Sequence, residues 1–73
     1  MLIVHSDRMG MTNLNVISEV KLMGRYIRAY EVGGSNHAMA AYETEQRAEA
    51  VFRTLTDQCR VTKGDDVILL PEV

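Results

Sequence analysis

Ala48, Val51, Phe52, Leu55 and Cys59 recur at spacings of three and four, and this stripe constrains the fold of the 73-residue chain more than any other feature. Such spacing places the five side chains along one side of a helix. The opposite side carries Glu49, Arg53 and Asp57 four apart, with Glu49 and Arg53 in the favourable order for an ion pair. Thr44 is a suitable N-cap, and Glu45 and Gln46 occupy the first turn, where the helix dipole favours acidic groups. The pattern predicts a helix over 44–60. Arg60 suits its C-terminus, and Thr62-Lys63-Gly64-Asp65-Asp66 follows as a loop. A single helix must lay its apolar stripe on something else.

The rest of the chain reads as strands. Residues 1–5 are rich in branched apolar side chains and run into an Asp7-Arg8-Met9-Gly10 turn. From Asn13 to Met23 the period changes to two: Leu14, Val16, Val20 and Leu22 share a parity interrupted by Ser18, which indicates a half-buried strand. Gly24-Arg25 makes a tight turn. A strand follows at 25–32, closed by the hairpin-like Gly33-Gly34-Ser35-Asn36. Residues 37–42 read as a further strand in spite of their alanines. Val67-Ile68-Leu69-Leu70 is a continuous apolar run stopped by Pro71, which suits a strand covered on both faces or an edge strand covered by a partner chain. The expected fold class is α+β: a single domain over 1–73 in the order β-β-β-β-α-β, an antiparallel meander of about five strands with the helix on one face.

Several functions are disfavoured by composition. Eight Lys and Arg against ten Asp and Glu give a net charge of −2, unlike a protein that grips phosphate backbones over its whole surface. No apolar run approaches the ~18–20 residues of a membrane span, and the apolar start is too short for a secretion signal. The one cysteine excludes an intramolecular disulfide, so the expected location is the cytoplasm. A domain of this size buries only about 60% of its unfolded surface, which makes a homo-oligomer, dimer or higher, the expected source of added stability.

Candidate chemistry is sparse. His5 and Asp7 share a parity and form a His-x-Asp pair able to ligate a metal or shuttle a proton, but no third ligand stands at a useful spacing. Cys59 with His37 is the only nucleophile and base set, and the stripe places Cys59 inside, where a thiol is inert. No phosphate-binding loop, dinucleotide fingerprint, nucleophile elbow or Cys-x-x-Cys is present. The chain therefore reads as a non-enzymatic protein that needs no cofactor. Lys21, Arg25 and Arg28 interleave with Tyr26 and Tyr30, a composition that holds single-stranded nucleic acid only if Ile27 and Ala29 supply the core and the tyrosines face outward. Met9 and Met11 flank Gly10 in a loop, where adaptable thioethers suit a protein partner, and Val67 and Leu69 on the last strand suit the same role.

Ile3-Val4-His5-Ser6-Asp7, Ala41-Tyr42-Glu43-Thr44-Glu45-Gln46-Arg47-Ala48 and Leu70-Pro71-Glu72 together resemble a group of short proteins of Gram-positive bacteria and their phages or mobile elements. In that group an opening strand enters a Ser/Asp turn, and a Tyr-x-Thr/Ser-Glu segment leads into an Ala-containing helix. The resemblance spans most of the chain, rests on structural motifs and implies no known activity.

Overall fold

The computed structural model describes residues 1–61 and 66–72. Its elements are β1 (Leu2–Val4), β2 (Met11–Asn13), a 3-10 turn (Leu14–Val16), β3 (Ile17–Met23), β4 (Tyr26–Glu31), β5 (Asn36–Ala41), α1 (Glu45–Val61) and β6 (Val67–Leu69). The class is α+β, but among the described residues six strands form two sheets in place of one meander of about five strands. One sheet has the order β2-β1-β6, antiparallel between β1 and β2 and parallel between β1 and β6. The other, β3-β4-β5, is the antiparallel meander.

The division begins at Asn13. Its side chain accepts the Asn15 N–H at 2.9 Å, and Leu14 N–H reaches back to the Met1 carbonyl, so the backbone turns where an uninterrupted strand was expected. Residues 11–13 are thereby released to pair with β1. A bulge between Ile17 and Glu19 then shifts the parity of β3, with the Ser18 hydroxyl donating to the Tyr30 carbonyl. Ile17, Val20 and Leu22 pack against the core, while Val16 is exposed.

The Gly24-Arg25 turn joins β3 to β4 with Met23 opposite Tyr26, and Gly24 takes φ +62°, a conformation glycine adopts without cost. A second bulge, in β5 opposite Ile27 and Arg28, inserts one residue so that the adjacent Met39 and Ala40 are both buried. It also frees the Met39 carbonyl to accept the Ser6 N–H at 3.1 Å, a backbone bond from the turn between β1 and β2 to β5.

The helix matches its expected span within a residue. Thr44 Oγ1 accepts the Arg47 N–H at 3.1 Å, Glu49 pairs with Arg53, and Ala48, Val51 and Leu55 are buried. Cys59 departs from expectation: it is exposed, and the buried stripe ends at Leu55. The expected loop residues Thr62-Lys63-Gly64-Asp65 lie outside the described residues.

One apolar core joins both sheets and the helix: Ile3 and Ile68, Ile27, Ala29 and Met39, and Ala48, Val51 and Leu55, closed by Tyr42 and Leu70. The Tyr42 hydroxyl donates to the Pro71 carbonyl at 2.8 Å and ties the last strand down. β6 is covered on one face only: Ile68 is buried between exposed Val67 and Leu69.

Candidate functional site

Three surfaces carry the candidate residues. The first is the outer face of the β2-β1-β6 sheet. Alternation sends Ile3, Thr12 and Ile68 inward as one cross-strand row and leaves two outward rows, Met11-Val4-Leu69 and Asn13-Leu2-Val67. Val67, Leu69 and Met11 are 55%, 60% and 63% exposed, and Leu2 and Val4 between them are half-buried. Met9 stands fully out from the preceding turn, where the Asp7 carboxylate accepts its N–H at 2.8 Å. The four residues singled out for partner contact are thus all exposed, three of them on one face. Met11 belongs to a strand and not to the expected loop.

The second surface is the outer face of β3 and β4. Glu19 pairs with Tyr30, Lys21 with Arg28 and Met23 with Tyr26 across this face, while Ile27 and Ala29 are completely buried behind it. This is the parity that a nucleic-acid face requires. The cations are already engaged, however. Lys21 lies over the Tyr30 ring at 5.5 Å, Arg25 over Tyr26 at 5.9 Å, and Arg28 donates to Asn36 Oδ1 at 2.7 Å. Lys21 also faces the Glu19 carboxylate at 3.6 Å, and the Tyr30 hydroxyl donates to Met23 Sδ. A base stacking on either tyrosine competes with the cation beside it.

The third surface is one the sequence did not disclose. His5, just beyond β1, and His37, on β5, both point their Nε2 atoms at Thr12 Oγ1, each at 2.7 Å, with ring centroids 5.4 Å apart. Thr12 is buried in the inner row of β2. His5 is therefore paired with His37 and not with Asp7, whose carboxylate caps the turn. Burial lowers the His5 pKa, the neighbouring His37 lowers it further, and Asp7 opposes both. Gly10 closes over His5, since a Cβ there would stand 3.0 Å from His5 Nδ1. The signal that was available is the return of the chain at Gly10, which sets Thr12 opposite Ile3 and so beside His5.

Cys59 and His37 are not brought together: His37 is bonded to Thr12, and the Cys59 thiol lies 4.0 Å from Met1 Sδ. Burial of the sulfur raises its pKa, which opposes nucleophilic use. Cys59 instead borders a cleft of about 310 Å³ lined by Ile3, Leu14, Val20, Phe52 and Leu55. Among the described residues no group of three or more His, Cys, Asp or Glu is placed to hold a metal ion, and no helix is long and apolar enough to cross a membrane. Comparison of the chain with known protein families, with curated proteins and with solved structures finds no match.

Proposed function

We propose that this chain is a non-enzymatic, cytoplasmic interaction module that self-associates through the outer face of its β2-β1-β6 sheet. The observation that supports this most is the cross-strand row Met11-Val4-Leu69, flanked by Val67 and Met9, which leaves large apolar side chains in water on a sheet whose inner face is fully used by the core. Sheet faces of this kind stack at about 10 Å spacing. A second copy would cover these rows with the same side chains, as a two-fold contact requires. Size-exclusion chromatography with light scattering at tens of micromolar tests the reading: a mass of twice the 8.2 kDa chain or more supports it, and a monomer overturns it.

A second reading, a small nucleic-acid-associated protein, is supported by the outward parity of Tyr26, Arg28 and Tyr30 beside Lys21 and Arg25. It requires binding of single-stranded oligonucleotides that weakens steeply with salt, and it fails if tyrosine fluorescence and anisotropy do not change at low salt. The net charge of −2 and the engagement of the cations rank it below self-association.

A further inference from the structure

A proton count at Thr12 limits what the junction between the sheets can hold. A threonine hydroxyl carries one proton to donate and lone pairs to accept. With both imidazoles neutral, Thr12 donates to one Nε2 and accepts from the Nε2–H of the other, and both 2.7 Å contacts are satisfied. One added proton is tolerated, because a charged ring still donates to the Thr12 oxygen while the neutral ring accepts. A second proton is not. Both rings would then donate to the same oxygen, the Thr12 proton would lose its acceptor at a residue 3% exposed, and two positive rings would stand 5.4 Å apart.

We infer that His5, Thr12 and His37 form an acid-sensitive latch that fastens the β1–β2 hairpin to β5 and opens when both imidazoles are charged. The latch lies beside a backbone bond from the β1–β2 turn to β5, Ser6 N–H to the Met39 carbonyl, so opening it loosens the contact between the two sheets. The charged groups around it come from every neighbouring segment. His37 on β5 opposes a second charge, and Asp7 in the turn favours one. Arg8, beside His5 in sequence, is occupied by the carbonyls of His5 and Leu70 and by the Glu72 carboxylate at 3.5 Å from its Nε.

The direction of the pH effect follows from the lowered pKa of His5. The unfolded chain takes up the proton near pH 6.5 while the folded chain resists it, so stability is complete above about 6.5 and falls as pH drops from there toward the folded value.

The test is an NMR titration of the unaltered protein from pH 8 to pH 5, read at the histidine Cε1–H signals and the backbone amides, together with urea unfolding of wild type and His37→Gln at the two ends. The His5 step is expected below 6.5, with the Ser6 and His37 amides shifting along with it. A glutamine side chain retains a donor toward Thr12 without a titrating charge, so the unfolding constant of His37→Gln should rise severalfold less on acidification than that of wild type. A His5 midpoint at or above 6.5, amides that do not follow the His5 step, or equal acid sensitivity in the two proteins overturns the inference. The titration uses wild type alone, so it decides the matter even if the variant does not fold.

Discussion

Arg8 Nη1 donates a 2.6 Å hydrogen bond to the carbonyl of Leu70, 62 positions away, and it does so from a backbone with φ +62°. A non-glycine residue in that region costs roughly 1 kcal/mol, so the turn between β1 and β2 holds Arg8 there against its preference. The same guanidinium donates to the His5 carbonyl at 3.1 Å, which locks the turn to the end of β6.

Arg8→Ala keeps the backbone cost and loses both bonds, whereas Arg8→Gly loses the bonds and relieves the backbone. The alanine variant should lose about 2 kcal/mol and the glycine variant about half of that, with the Glu72 pair adding little because it is largely exposed. Urea midpoints at pH 7 check this ordering, and an alanine variant as stable as the glycine variant would contradict it.

Tyr42→Phe removes the 2.8 Å bond to the Pro71 carbonyl and nothing else of its packing. The loss should be about 1 kcal/mol, seen as a fall of roughly 4–8 °C in Tm. Burial raises the Tyr42 pKa above its usual 10, opposed by Arg47 and Arg8. The neutral phenol therefore favours the folded state below pH 10, and that contribution is lost as pH rises through the folded value. The wild type should lose stability in that alkaline range more steeply than Tyr42→Phe, measured by thermal melts from pH 8 to 11.

The local structure was legible where a single pattern determines it. The 3.6-residue period and Thr44 gave α1, and the Gly24-Arg25 and Gly33-Gly34 turns gave the β3-β4-β5 hairpins. Two bulges and one side-chain cap were not legible. Asn13 breaks the alternation by capturing one amide, and Ser18 and Met39 each insert a residue that changes which parity faces inward. Period-two counting assumes that no residue is inserted, so it assigned Val16 to the core, where the structure places Ile17. The separation into two sheets has the same origin, because freeing residues 11–13 is what creates β2. The histidine pair was missed for a different reason: His5 and His37 meet through the packing of β5 on the β1–β2 hairpin, and no spacing along the chain encodes that contact.

Leu69→Lys and Met11→Lys place charge on the outer face of the β2-β1-β6 sheet without touching the buried row beneath it. Because both side chains are mostly exposed, the fold should change by less than about 0.5 kcal/mol, while two like charges brought together across a two-fold contact disfavour association. The double variant should elute as a monomer with an unchanged circular dichroism spectrum. A double variant with the wild-type mass would move the interface elsewhere.

Cys59 is accessible, yet its thiol is held protonated by the apolar surroundings of its sulfur. Alkylation by iodoacetamide consumes the thiolate, so its rate should rise with pH about a midpoint above the value of 9.0 for a free thiol. Mass spectrometry of timed samples from pH 7 to 10 measures that midpoint, and in urea it should fall back to the ordinary value. A native midpoint at or below the unfolded one would mean that a cation or hydrogen bond activates the sulfur.

Ile27 shows how narrow the margin of this core is. It is fully buried on the central strand β4, opposite Leu22 on one side and Ala40 on the other. Truncating such a side chain to alanine costs about 2–5 kcal/mol, the transfer of the lost methyls plus the cavity they leave. A domain of this size rarely holds more than about 3–5 kcal/mol in all. Ile27→Ala should therefore be largely unfolded at 37 °C, whereas Ile27→Val, costing about 0.5–1.5 kcal/mol, should stay folded with a lower midpoint. Val32→Ala, at a position 75% exposed in the β4–β5 loop, is the control and should be nearly neutral. Amide NMR spectra of the three variants at 37 °C separate these outcomes. A well-dispersed spectrum for Ile27→Ala would mean that stability comes from outside this core, and a wild-type association state in the same sample would identify the partner copy as its source.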